Sequence, residues 1–485
     1  MQKYIIVIGT RGSAMSDDAN GMDSMMDELY PYRNSSKTYS SIPETGQLPA
    51  DVLAEVHSFA SREDSIGDDG RVSGSLYSGD HEHYRLLSQV FEEFAHVNVL
   101  QRDMYPSATK FEAEIIAMAL DMLHGSTSDS DACGVVTSGG SESLITALYT
   151  YREQASRERG ITKPNVVIPV TAHVALDKGA HWLGIEMRHA PLGSDHLVDV
   201  AKMEELIDEN TIAIVGSAAN YAHGLIDPIT ELGQLALKHG IGLHVDGCLG
   251  GFLLPWIEAN GVVVTPWDFR VPGVTSISAD THKYGYALKG TSTLLYRTKS
   301  LRSYQYFTYP DWPGGLYLSP GFAGSRSGGL IASTWASMLL MGKDGYKAAA
   351  KDIYDAAQKI VHGIRNDIPE IQVVGDPTFL VAFTSKELDV YLINDELKRR
   401  GWRMNALQMP PGLHFCVTRP NTGKDVIENY LVDLKASVEY AKENKGATAQ
   451  SGAMYGFGGT PKGNATLAFV MSGYLDAMHE LAPEE

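Results

Sequence analysis

Between about residue 108 and residue 296, short apolar runs alternate with segments whose apolar residues recur at helical spacing. The runs are "CGVVT", "NVVIPV", "TIAIVGS", "IGLHVDG", "VTSISAD" and "STLLYR"; the helical segments include "SESLITALYTYREQA", "TAHVALDKGAHWLG" and "DPITELGQLALKHG". Strands this uniformly apolar need cover on both faces, and helices of this length supply it. The pattern predicts an α/β fold with a mostly parallel sheet flanked by helices. Local punctuation agrees. A helix over "TKFEAEIIAMALDMLHG" stops at Gly125, and the helix in "DPITELGQLALKHG" is expected to use Asp227 as N-cap, Pro228 at its first position and Gly240 as its end.

The texture changes near residue 345. A long helical stretch, "GYKAAAKDIYDAAQKIVHGIRND", leads into further short strands and helices. We therefore divide the chain into a large domain over 108–345 and a smaller C-terminal α/β domain over 346–485. The Gly- and Ser-rich stretch 446–463 reads as a loop. Ahead of the large domain lie a segment over 46–107 and a first segment over 1–45. The latter shows no sustained period and reads as flexible or as an arm on a partner. "VIGTRGS" at 7–13 lacks the GxGxxG spacing of a dinucleotide turn.

Composition narrows the partners. Lys and Arg number 40 against 59 Asp and Glu, a formal charge of −19. Such a surface repels nucleic acid and anionic headgroups at long range, so an anionic ligand needs a local basic pocket. The three cysteines, Cys133, Cys248 and Cys416, are far apart and form no CxxC pair. That pattern suits a reducing compartment and neither a disulfide scaffold nor a zinc ribbon. "HEH" at 81–83 has no third ligand nearby and reads as a polar helix start; no metal is expected. The run Tyr4–Ile8 is too short for a membrane span. The chain is expected to be soluble and cytoplasmic, without a transmembrane anchor.

Four polar segments directly follow apolar runs, where open parallel sheets bind their ligands. "TSGGSES" offers Gly140 and Ser141 at a helix start, a phosphate cradle or an ordinary capped turn. His173 in "VTAHVA" could lie against a planar ring or serve as a structural hydrogen-bonder. Asp246 in "LHVDGC" is costly to bury unpaired and asks for a cation, or else caps a helix. Lys283 in "SADTHKYGYALKG" sits in a desolvating loop where a lysine can lose its proton and act as an amine nucleophile. Together the four describe one ligand: a phosphate, a flat ring, a ring nitrogen facing a carboxylate, and an aldehyde facing an amine. Pyridoxal 5'-phosphate has all four.

The order of these motifs resembles the fold-type I pyridoxal-phosphate enzymes, and within them the group that contains the amino acid decarboxylases. The match is closest to the sphingosine-1-phosphate lyases, through "GRVSGSLYSG", "CGVVTSGGSES", "HGLIDP", "HVDGCLGGF", "FRVPGVTSISADTHKYGYALKGTS", "YQYFTYPDWPGGLYLSPGFAGSRSGG", "LHFCVT" and "MYGF". The resemblance covers most of the chain from about residue 50. It implies a transferase-like large domain with a seven-stranded type of sheet, and a homodimer with shared active sites. Lys283 would bind the cofactor aldehyde, Asp246 would face the pyridine nitrogen and His173 would stack on the ring. Gly140, Ser141 and His282 would hold the cofactor phosphate, with Ser325 reaching it from the other subunit. Tyr77, from the segment 46–107 and again across the interface, would meet the substrate phosphate together with Lys289. Gln101 stands where the family has a histidine for that phosphate.

The implied activity is cleavage of the C2–C3 bond of a phosphorylated sphingoid base to a long-chain aldehyde and phosphoethanolamine. The amphiphilic substrate would be taken up from micelles, a carrier or transient contact with a membrane surface. Lys283, Tyr77, Lys289 and His173 are all candidates for the acid/base work. An amino acid decarboxylase would use the same Lys283, Asp246 and His173 but would not need Lys289 with Tyr77. A catalytically silent cofactor- or lipid-binding protein would not need the complete set. The aromatic stretch at 304–315 is expected at the active-site entrance or the dimer interface.

Overall fold

The alternating pattern builds one seven-stranded sheet. The structure, a computed structural model, describes residues 30–64, 67–128, 131–451 and 461–481. The sheet's strands are β1 (Cys133–Thr137), β2 (Asn165–Pro169), β3 (Glu186–Ala190), β4 (Thr211–Ser217), β5 (Gly242–Asp246), β6 (Ser276–Ala279) and β7 (Ser292–Tyr296). Their order is β1-β7-β6-β5-β4-β2-β3, and β7 alone runs against its two neighbours. Strands β1, β2, β4, β6 and β7 are buried at every residue. That explains their unbroken apolar runs. Strand β3 forms the edge, is largely uncovered and reads "EMRHA", so it carries no apolar signal. Sequence reasoning missed it for that reason.

Helices Gly140–Arg159, Ala175–Leu183 and Ile229–His239 pack on this sheet and end on Gly160, Gly184 and Gly240, each in the left-handed conformation. The expected cap on the third helix does not form. Its N-cap position is Pro228, and Asp227 turns inward, where its Oδ2 accepts the Ser217 N–H at 2.8 Å. Its Oδ1 is buried with no partner. Burial pushes the Asp227 carboxyl up to about 7; amides of Ser217 and Val198 oppose the shift and the charge of Asp246 adds to it. A group whose folded pKa is raised stabilises most below its unfolded value, and that stability is lost as pH rises from about 4 through about 7, on the order of 4 kcal/mol in all. Asp227→Asn cannot ionise. The melting temperature of the variant relative to the parent should therefore rise between pH 5 and pH 8. Parallel melting curves across that range would contradict the assignment.

A 40-residue helix, Gly328–Asp367, carries the chain from the large sheet to a second one. It breaks at Gly342 (φ 55°), and the domain boundary expected at 345 falls just past that break. After a two-stranded hairpin, β8 (Phe307–Tyr309) and β9 (Tyr317–Ser319), the remaining strands are β10 (Gln372–Val373), β11 (Leu380–Thr384), β12 (Asn405–Gln408) and β13 (Pro411–Cys416). Strands β10 to β13 form an antiparallel sheet in the order β10-β11-β13-β12. Helix Val426–Glu443 packs beside it against helix Val390–Arg399. "HEH" opens helix His81–Glu93. Residues 1–29, with "VIGTRGS", and the "MYGF" motif lie outside the described residues. Part of the expected 446–463 loop also lies outside them, and helix Pro461–Met478 begins within that stretch. Among the described residues, no helix is long and apolar enough to cross a membrane.

Candidate active site

Because β1, β2, β4, β5 and β6 point the same way, their carboxyl ends open on one edge. Strand β7 begins at that edge, with Ser292 opposite Thr137 and Thr293 opposite Ala279. A cavity of about 360 Å³ lies there, lined by Ser138 to Glu142, Leu144, His173, Cys248, Asp280, His282 and Lys283. Segments up to 145 residues apart thus meet because each follows a strand of one sheet.

The floor is set by glycine. A Cβ on Gly140 would stand 2.8 Å and 2.9 Å from the two Asp280 oxygens and 3.0 Å from Cys248 Sγ, so only glycine fits. Gly139 takes φ 153°. Helix Gly140–Arg159 starts there with Ser141 exposed in its first turn, while Glu142 accepts the Ser138 N–H at 2.7 Å. A 20-residue helix aimed at the cavity brings its positive end to the same place.

Lys283 reaches this floor and pairs with Asp280, Nζ to Oδ2, at 2.9 Å. Asp280 is 2% exposed and its Oδ1 has no partner. Burial would push the Lys283 ammonium down, but the charge of Asp280, aided by Cys248 and Tyr77, outweighs it and holds the group above the usual lysine range. This corrects the expectation that desolvation alone would free the amine. A buried carboxylate in contact outcompetes the loss of water.

Asp246 ends β5 opposite Ser278, five residues before Lys283. Its Oδ1 accepts the Cys248 N–H at 3.0 Å and lies 3.5 Å from the Ser278 hydroxyl. The carboxylate is 7% exposed, and among the described residues no cationic side chain pairs with it. Cys248, whose thiol donates to Ser278 Oγ at 3.2 Å, lines the cavity, and Asp246 is not among its lining residues. His173 is exposed at the rim, and its Nδ1 accepts the Ala175 N–H at 3.1 Å. His282 donates from Nδ1 to the Thr291 carbonyl at 2.5 Å, which turns Nε2 toward Asp280, 3.8 Å away. Burial holds the His282 imidazole below its usual value.

Tyr77 and Lys289 meet next to this cavity. Lys289 Nζ lies 4.7 Å over the Tyr77 ring, and the ring stands edge-on to Tyr284 at 5.0 Å. Tyr77 was expected from a partner subunit; here it stands on the Lys289 of its own chain, because the turn after Gly74 folds back onto Cys416 of β13. The hydrogen bonds of Lys289 go to the carbonyls of Ser75 and His282, at 3.4 and 3.5 Å, and among the described residues no carboxylate pairs with it. Burial, then the charge of Lys283, push its ammonium below the usual range. Ser325 does not line the cavity of its own chain. Its hydroxyl accepts from Asn98 Nδ2 at 3.0 Å, and the backbone N–H of exposed Gln101 donates to the Asn98 backbone carbonyl at 3.0 Å. Ser325 and Gln101 therefore share one surface loop cluster.

Sequence reasoning missed Asp280, Cys248 and Glu142. Asp280 was legible in principle, since a carboxylate three residues before a lysine on a turn can meet it. Cys248 carries no local signal beyond its thiol.

Residues 74–386 match the pyridoxal-dependent decarboxylase conserved domain. The chain is 40% identical over 457 residues to sphingosine-1-phosphate lyase 1 of Rattus norvegicus, spanning 93% of this chain and 79% of that one. The chain belongs to the sphingosine-1-phosphate lyase family. A solved sphingosine-1-phosphate lyase of Burkholderia pseudomallei, 47% identical, superposes with a TM-score of 0.84 over 85% of this chain and 96% of that one. Glutamate decarboxylase of Lactobacillus brevis, at 19% identity and a TM-score of 0.71 over 87% of this chain and 99% of that one, shares the fold-type I architecture. The family is pyridoxal-dependent, and the residues of this chain fit that cofactor. Gly140 leaves a cradle that a Cβ would fill, Asp246 is a buried carboxylate with no cationic partner among the described residues, and Lys283 is the amine at the cavity floor.

Proposed function

We propose that this lyase-family chain cleaves a phosphorylated sphingoid base between C2 and C3, releasing a long-chain aldehyde and phosphoethanolamine. One observation carries the substrate class. Lys289 is a cation that pairs with no carboxylate among the described residues, over the Tyr77 ring, in a chain of net charge −19. A distal phosphate supplies the missing charge and acceptor oxygens.

Pyridoxal 5'-phosphate, when bound, supplies an electron sink for the cleaved carbon. The chain's residues bind and orient around it. Gly140, Ser141 and His282 would hold its phosphate, with Ser325 contributed by a partner subunit; Asp246 would answer the ring nitrogen, His173 would cover the ring and Lys283 would hold the aldehyde end. Tyr77 and Lys289 orient the substrate phosphate. Lys283, Tyr77, Lys289 and His173 are the groups positioned to move the proton of the C3 hydroxyl. The chain acts as a cytoplasmic homodimer. Support for the dimer comes from exposed apolar residues on the 304–322 hairpin, among them Phe307, Trp312 and Leu318, and from helix Pro49–Asp64, which buries no residue in its own chain.

Incubation with a sphingoid phosphate, followed by mass spectrometry, should yield a fatty aldehyde and phosphoethanolamine. Carbon dioxide from an amino acid, with no aldehyde, would move the assignment to a decarboxylase. Loaded protein lacking a borohydride-sensitive absorbance would move it to a silent binding protein.

A further inference from the structure

We infer that Asp280 is a positioning residue for Lys283: it docks the side chain against the Gly140 floor as an ion pair and sets the pH at which the amine becomes free. The inference rests on the cofactor role proposed for Lys283. Its basis is contact geometry. Asp280 Oδ2 lies 2.9 Å from Lys283 Nζ, and the carboxylate occupies the space beside Gly140 that any Cβ there would need, 2.9 Å or less from both oxygens. Among the described residues its Oδ1 has no hydrogen-bond partner, and the other nitrogen facing the carboxylate, His282 Nε2, stands farther off at 3.8 Å.

Other titratable groups face Lys283 from every side: Cys248 after β5, with Asp246 behind it, Tyr77 from the N-terminal segment, Cys416 of β13, and His282 and Lys289 from its own loop. None of these forms an ion pair with it. An ammonium has no lone pair to offer a carbonyl carbon, so Nζ must lose one proton to solvent and leave Asp280 before it can act. No bond to carbon changes in that release.

The test uses the full chain before any pyridoxal 5'-phosphate is added. Acetylation of Lys283 by acetic anhydride is followed by peptide mass spectrometry from pH 6 to pH 10, with exposed Lys202 as internal reference. In Asp280→Asn the midpoint for Lys283 should fall, so that labelling at pH 8 rises at least about tenfold, the equivalent of one pKa unit, while Lys202 is unchanged. An unchanged midpoint in soluble Asp280→Asn would overturn the inference. Should that variant not fold, Asp280→Ser is read the same way. The cofactor reading fails separately. Borohydride reduction of the loaded parent chain that leaves Lys283 unmodified would end it without altering the titration of the cofactor-free pair.

Discussion

Lys283→Ala is expected to lower turnover of a sphingoid phosphate by at least about a thousandfold, since it removes both the covalent anchor and a candidate proton carrier. The same change should also destabilise the chain, for a separable reason. Asp280 is almost fully buried, and among the described residues no lysine or arginine other than Lys283 pairs with it. Removing one partner of a buried pair leaves an uncompensated charge; because Lys283 keeps 23% of its side-chain exposure, the cost should be about 1–3 kcal/mol, less than for a fully enclosed pair. Lys283→Ala combined with Asp280→Asn should recover much of the melting temperature and none of the turnover. Aldehyde release and thermal unfolding, measured on the same preparations, check both halves. Turnover near the parent level in the single variant would refute the anchor.

Lys289→Ala should act on a different term. Its Nζ makes only long contacts to two carbonyls and lies over the Tyr77 ring, so the loss of folding stability should be slight. If it meets the substrate phosphate, a charge-assisted hydrogen bond worth about 2–3 kcal/mol is removed, or about 30- to 150-fold in kcat/KM for the phosphorylated substrate. The corresponding unphosphorylated base should be processed equally by both proteins, whatever its absolute rate. An equal loss on both substrates would place Lys289 in the chemistry instead of in phosphate recognition.

Much of the site was legible because it repeats a single local rule. Gly140, His173, Asp246 and Lys283 each follow an apolar run, and a parallel sheet delivers the ends of such runs to one edge. Asp227 was misread because the signals for capping a helix and for bonding back to a strand are the same residue type. Which one forms depends on whether Ser217 lies within reach, and it does. Strand β12, "NALQ", like β3, is only half-buried, so no periodic apolar signal marks it.

What the amino-acid order determined by itself was the layered α/β architecture and the edge on which chemistry gathers. Burial patterning and strand ends are properties of residues close together in the chain. Only the tertiary structure decided that Asp280 grips Lys283, that the Cys248 thiol meets Ser278, and that Tyr77 lies on the Lys289 of its own chain. Those outcomes turn on backbone closure between separate segments, where a shift of one side-chain length makes or breaks an ion pair, and no local pattern carries that distance.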